Sequence, residues 1–322
     1  MTQLLVINTG GTISMQQDVS GSLAASSGDE LPALFDQLAD GLALRIHWVA
    51  ISQLIERSPQ YDGYLVLHGT DTMAYTASAL AFSCAHINKP IVLTGAQVPL
   101  SNPGSDGMQN IRISLEAFNN IAALPSIPMI AFGGLLLRGC RARKSSTHSA
   151  IGFDSPNAPL IAELFPKARW FNNTPSATNM PANCARDLRF SNQVMQLSLH
   201  PGLDANMLRS MILSSSIEGL IVRVFGTGTA PDALDLGNLL SECRERTNGR
   251  FECAVIVTDV YNGSLELSRY AAGKTLQAKD IIDGKDMTPE AATTKLMWAL
   301  AQPRRNELRQ LMSSNLVGEL TP

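Results

Sequence analysis

The chain has 322 residues, 45% hydrophobic and 16% charged, which is the profile of an ordinary globular protein with enough apolar material for two domains or one large one. A net charge of −3 provides no electrostatic footprint for nucleic acid or an anionic membrane surface, and no apolar run has the length of a membrane span. Cys84, Cys140, Cys184, Cys243 and Cys253 contain no C-x-x-C pair, which argues for reduced thiols in a reducing compartment and against a zinc ribbon or redox disulfide.

Met1-Thr2-Gln3 carries no basic region, and an apolar run begins almost at once, so a cytoplasmic location without a cleaved leader is expected. That run, Leu4-Leu5-Val6-Ile7-Asn8, reads as a buried strand that turns at Gly10-Gly11 and presents Thr12 at its carboxyl end. Residues 14–29 are rich in Ser, Gly, Ala and Gln without a period and read as a lid loop. Leu31, Leu34, Phe35, Leu38 and Leu42 form a helical stripe, and Leu44–Ile51 returns to strand-like alternation. After the short connection Ser52–Gly63, a second strand Tyr64–His68 ends in Gly69-Thr70-Asp71-Thr72, ahead of a helix over Met73–Ile87. Thr70 and Asp71 are therefore either helix caps or the second half of a paired hydroxyl site. Pro90–Gly95 reads as a further strand, and Ser105-Asp106 as the cap of a helix carrying Ile111, Leu115, Phe118 and Ile121. Pro128–Phe132 is another strand, and the basic, hydroxyl-rich stretch Cys140–Ser149 is either a solvated loop or an anion site.

The alternation of strands and helices implies a mostly parallel sheet with flanking helices, followed by a smaller α/β domain. The boundaries expected are 1–180 for the first domain, 181–193 for a linker and 194–322 for the second. In the second, strands are expected at Val194–Leu199, Gly219–Phe225 and Cys253–Thr258. Its helices are expected at Ala205–Ser214, Asp232–Arg246, Pro289–Leu300 and Arg304–Ser313. The Gly226-Thr227-Gly228-Thr229 run lacks the spacing of a dinucleotide fingerprint.

Three segments together resemble the bacterial L-asparaginase family, specifically its cytoplasmic type I branch. They are TGGTIS at Thr9–Ser14, LHGTDTMAYTASAL at Leu67–Leu80, and LTGAQVPL followed by SDG within Leu93–Gly107. RYAAG at Arg269–Gly273, DMTPEAATTKL at Asp286–Leu296 and NLVGELT at Asn315–Thr321 extend the similarity over nearly the whole chain. The resemblance implies hydrolysis of L-asparagine to L-aspartate and ammonia through an acyl-enzyme, without metal or cofactor. It assigns the attacking hydroxyl to Thr12, with Thr70, Asp71 and Lys144 as its catalytic partners. It places substrate contacts at Gly11, Ser52 or Ser58, Gly69, Asp71 and Ala96. It further implies a homodimer or homotetramer, with Glu266 a candidate to reach a neighbouring active site.

The chain departs from the family pattern at three places. The lid tyrosine is absent, since Gly21 is followed by Ser22; the Ser52–Gly63 connection is short; and Thr258-Asp259-Val260 lacks the thiol of a family allosteric site, so no such site is expected. The missing tyrosine and the short connection keep open a catalytically weak relative that binds asparagine or aspartate; an amidohydrolase that prefers glutamine is a separate alternative. His68 and His148 are expected to be structural.

Overall fold

The computed structural model describes residues 2–17, 23–25, 44–49, 60–171, 188–269, 273, 276–278, 280–303 and 305–322. Ser22, the helix expected over 30–42, Ser52, Ser58, Cys184 and residues 181–187 of the expected linker lie outside the described residues. The chain divides into two compact units, Met1–Pro175 and Ser176–Pro322.

The first unit contains β1 (Thr2–Asn8), β2 (Met15–Gln17), β3 (Leu23–Ala25), β4 (Leu44–Val49), β5 (Gly63–Leu67), α1 (Met73–Ser83) and β6 (Ile91–Thr94). After these come α2 (Gly107–Asn119), β7 (Pro128–Phe132), β8 (Leu135–Arg138), β9 (Arg143–Lys144), β10 (Phe153–Asp154), β11 (Ala162–Glu163) and β12 (Arg169–Trp170). Eight strands form one sheet in the order β12-β11-β8-β7-β6-β5-β1-β4. The five from β7 to β4 are parallel, and β8, β11 and β12 run antiparallel to their neighbours.

Successive side chains of a strand point to opposite faces, and the core divides accordingly. Leu4, Val6, Leu65, Leu67 and Val92 pack with Ile111, Leu115 and Phe118 of α2. Leu5, Ile7, Tyr64, Val66, Ile91 and Leu93 pack with Met73, Ala74, Ala77 and Leu80 of α1. Being covered on both sides explains why these strands read as continuous apolar runs. The crossovers β5–α1–β6 and β6–α2–β7 step the same way across the sheet yet use opposite faces. They therefore differ in hand, and one is the left-handed kind avoided in about 98% of such connections. The strand order also reverses at β1: its neighbours are β4 on one side and β5 on the other, so the crevice at the carboxyl ends of β1 and β5 is a topological switch point.

The second unit is built from β13 (Val194–Ser198), α3 (Ala205–Ser214), β14 (Gly219–Val224), α4 (Leu236–Arg246), β15 (Cys253–Thr258), β16 (Ile281–Asp283), α5 (Pro289–Leu300) and α6 (Leu308–Ser313). Its four strands are parallel and adjacent in chain order. Asp204 caps α3 by accepting from the Met207 amide at 2.8 Å, and Thr288 caps α5 by accepting from the Ala291 amide at 3.1 Å. In α5 the Lys295 side chain is fully buried. Its ammonium pairs with the buried Glu319 carboxylate at 2.5 Å and donates to the carbonyls of Met312 at 3.0 Å and Ser314 at 2.6 Å.

Several expected elements are shorter or broken. The helix expected over Met73–Ile87 stops at Ser83, whose hydroxyl donates to the Ala79 carbonyl, and a 3-10 turn at Ala85–Ile87 leads to Asn88 in the left-handed region. The helix expected over Asp232–Arg246 is interrupted by Asp235 at φ 38°. Leu135–Arg138, which the sequence left unassigned, is the antiparallel strand β8, and β16 was likewise not anticipated.

Candidate active site

β6, β5 and β1 lie side by side, with Leu67 in register with both Thr94 and Asn8. Three glycine turns, at Gly10-Gly11, Gly69 and Gly95, therefore emerge at one level of the sheet. Gly11 has φ 93°, and a Cβ there would lie 2.3 Å from the Cα and 2.4 Å from the amide nitrogen of Gly69. The two turns touch backbone to backbone, which only glycine at this position permits. Thr9 pins the first turn to the second strand, its amide and its hydroxyl donating to the Leu67 carbonyl at 3.0 and 2.8 Å. Thr12 then opens a 3-10 turn over Thr12–Ser14; it is half-buried above Ile13 and Ser14, which are buried.

On the second turn Thr70 is buried and Asp71 is exposed. Lys144 reaches both from β9, its ammonium donating to Thr70 Oγ1 at 2.7 Å and to Asp71 Oδ1 at 2.6 Å. β9 is held by pairing Lys144 with Phe153 of β10, and the Phe153 ring rests on Phe132 of β7 with centroids 5.1 Å apart. The Asp71 side chain is 88% exposed against 19% for Lys144. Solvent screens such a pair to roughly 0–1 kcal/mol, so it contributes little to stability. Its chemical consequences are greater. Thr70 Oγ1 accepts from a cation and keeps its own proton to donate, while the Asp71 carboxylate remains within reach of a ligand ammonium group.

His68 lies at the base of this turn. Its Nδ1 is 2.8 Å from the Gly69 carbonyl, an acceptor only, so Nδ1 carries the proton and Nε2 accepts from the Thr76 hydroxyl at 2.8 Å. The histidine thus ties the turn to α1. His148 lies in an exposed turn, 2.7 Å from the Thr147 hydroxyl.

The third turn corrects one expectation. Asp106 precedes α2 but makes no side-chain cap. Its carboxylate instead accepts from the amides of Gln97, at 2.9 and 3.1 Å, and Val98, at 3.0 Å, folding the segment after β6 back on itself. Asn110 extends this brace. Its side-chain amide donates to the Gly95 carbonyl at 3.0 Å and to Asp106 at 3.1 Å, and its oxygen accepts from the Gly133 amide at the end of β7 at 3.0 Å. Asp106 was expected only as a helix cap, and Asn110 and Gln97 were given no role from the sequence; the i, i+4 spacing of Asp106 and Asn110 was the available clue. Ala96 is fully buried at the start of this turn.

Of the residues expected from the sequence, Thr70, Asp71 and Lys144 form one hydrogen-bonded cluster. Gly11 and Gly69 are in contact beside it, and Thr12 follows Gly11 directly. In the second unit, Glu266 is exposed and paired with Arg269 at 3.1 Å, and Thr258 donates to the Gly226 carbonyl at 2.6 Å. Among the described residues no group of three or more His, Cys, Asp or Glu side chains could hold a metal ion, and no helix is long and apolar enough to cross a membrane.

Residues 3–177 match the family model for the asparaginase N-terminal region, and residues 193–312 match that for the glutaminase/asparaginase C-terminal domain. L-asparaginase 1 of Escherichia coli K12 is 33% identical over 340 residues, spanning 99% of this chain and 98% of that protein. The thermostable L-asparaginase of Thermococcus kodakarensis superimposes with a TM-score of 0.83 at 30% identity, covering 100% of both chains. L-asparaginase I of Vibrio cholerae gives a TM-score of 0.83 at 27% identity, covering 100% of this chain and 99% of that one. With both family domains matched in order and relatives aligned end to end, the chain belongs to the asparaginase family.

Proposed function

We propose that this protein hydrolyses L-asparagine to L-aspartate and ammonia, with Thr12 as the attacking hydroxyl. The observation that carries the reading is the Lys144 ammonium bridging Thr70 and Asp71, beside the contact of the Gly11 and Gly69 turns. In this reading Asp71 holds the substrate α-ammonium, and Ser52 or Ser58 its α-carboxylate. Thr12 Oγ1 attacks the side-chain amide carbon. Thr70 and Lys144 relay the proton lost by Thr12 to the amide nitrogen, which departs as ammonia. Water then attacks the acyl-enzyme ester, restores the Thr12 hydroxyl and releases aspartate. Amide N–H groups at Gly11 and Ala96 are the candidate donors to the oxyanion formed in each step.

The same reading assigns catalysis to residues 1–180, a linker to 181–193 and a supporting domain to 194–322. It has the protein acting in the cytoplasm as a homodimer or homotetramer, with Glu266 offered to a neighbouring pocket. The four cysteines within the described residues are all buried and form no disulfide among themselves, which is consistent with a reducing compartment.

A second reading, preference for glutamine, is favoured by the broader C-terminal family match. Ammonia release from asparagine and glutamine, measured in parallel for the wild type, Thr12→Ala and Thr70→Ala, decides between them. A loss of about 10³-fold or more in each variant is expected. Undiminished turnover in both variants would remove the threonine mechanism, and saturable binding without ammonia would replace the enzyme with a binding protein.

A further inference from the structure

The lysine strap has a brace that the catalytic cluster does not contain. Residues 145–151 leave Lys144 and come back through Gly152, whose carbonyl accepts from the Ser145 and Ser146 amides at 2.9 and 3.4 Å. The neck of this loop is closed by Gln97. Its side-chain nitrogen donates to the Ser146 carbonyl at 2.8 Å and to the Ser149 carbonyl at 3.4 Å. Both partners are acceptors only, so the amide must present its NH₂ end to them, and a carboxylate in its place would repel both. The Gln97 main chain is itself fixed by the Asp106 carboxylate. The fit leaves no room: a Cβ on Gly152 would lie 2.6 Å from the Gln97 nitrogen.

We infer that Gln97 is a positioning residue for Lys144, coupling the turn after β6 to the strap that delivers the ammonium to Thr70 and Asp71. Pairing of Lys144 with Phe153 holds one side of the strap, and Gln97 holds the segment just beyond the lysine. The turn carrying Ala96 and the strap carrying Lys144 are thereby kept in one frame. As a catalytic statement this rests on the proposed amide hydrolysis; as a statement about the strap it does not.

The test uses Gln97→Glu, which preserves size and reverses the hydrogen-bonding sense, and Gly152→Ala, which displaces the amide from the other side. Hydrogen–deuterium exchange of the intact protein should show the Ser145 and Ser146 amides exchanging at least about 10-fold faster in both variants, with residues 63–70 unchanged. Turnover should fall by about 10²-fold in kcat with KM for asparagine within about threefold, because misplacement by about 1 Å costs that much. In a Lys144→Met background neither change should lower the residual kcat further. Unaltered exchange of the strap in both variants overturns the inference, as does a full multiplicative loss on top of Lys144→Met. A wild type that releases no ammonia removes the hydrolytic reading, and the exchange measurement then decides the role of Gln97 alone.

Discussion

Replacing Lys295 by methionine removes one half of a pair in which neither side chain has any solvent exposure. The Glu319 carboxylate would keep the amides of Leu316, at 3.1 Å, and Val317, at 2.8 Å, but would lose the Lys295 ammonium paired with it at 2.5 Å. Leaving a buried charge uncompensated costs about 3–5 kcal/mol. Two backbone carbonyls, of Met312 and Ser314, also lose their donor. The usual remedy, apolar residues at both positions, should fail here. In Lys295→Met/Glu319→Leu the Met312 carbonyl and the amides of Leu316 and Val317 would stay buried without these side-chain partners, at about 1–3 kcal/mol each, and the part-buried Ser314 carbonyl would lose its donor as well. For a unit of this size, 3–5 kcal/mol corresponds to a melting point lower by roughly 6–20 °C. Urea and thermal melts followed by tryptophan fluorescence suit the measurement, because fully buried Trp298 lies one turn along the same helix. A single variant within about 1 kcal/mol of wild type, or a double variant as stable as wild type, would refute the reasoning.

Gly11→Ala forces an alanine to φ 93° and drives its Cβ into the backbone of Gly69 at 2.3 Å. A loss of about 2–4 kcal/mol in urea melts, together with loss of ammonia release, is expected; a stable, active variant would contradict the contact. Asp106→Ala strips the acceptor from two amides and the Asn110 side chain and should cost about 2–4 kcal/mol, with Asp106→Asn milder, both read from thermal melts. Burial raises the Cys84 thiol from 9.0 to about 11 and, with the Glu252 charge adding to it, the Cys253 thiol to about 12. The folded state therefore keeps these protons after the unfolded chain has released them. Stability from this source is complete below about pH 9 and falls as pH rises toward 11–12, by about 1.4 kcal/mol per pH unit per thiol. Cys84→Ala/Cys253→Ala should flatten that slope, and identical slopes in both proteins would exclude the effect.

The parallel strands were legible because burial on both faces leaves β1, β5 and β6 as uninterrupted apolar runs that stop at glycine. Thr12, Thr70, Asp71 and Lys144 were legible as motif residues, and three of them meet in one hydrogen-bonded cluster. The role of Asp106 was not. At the sequence level a Ser-Asp pair before a helix signals a cap, and nothing in the spacing shows that a turn will bring the Gln97 and Val98 amides into its reach. β8 was missed because Leu135–Arg138 is only four residues long and follows β7 directly after Gly133-Gly134, a two-residue hairpin turn that reads at the sequence level as a strand end. The opposed hands of the two crossovers belong to tertiary packing and leave no local trace.

The contact of Gly11 with Gly69 also defines what could be transplanted. With no side chain between the two turns, neither can be adjusted by a rotamer when the other moves. Anyone grafting this chemistry onto another parallel sheet would have to carry both strands, both glycines and their register as a single cassette. Either turn alone would bring a hydroxyl without the surface that fixes where it sits.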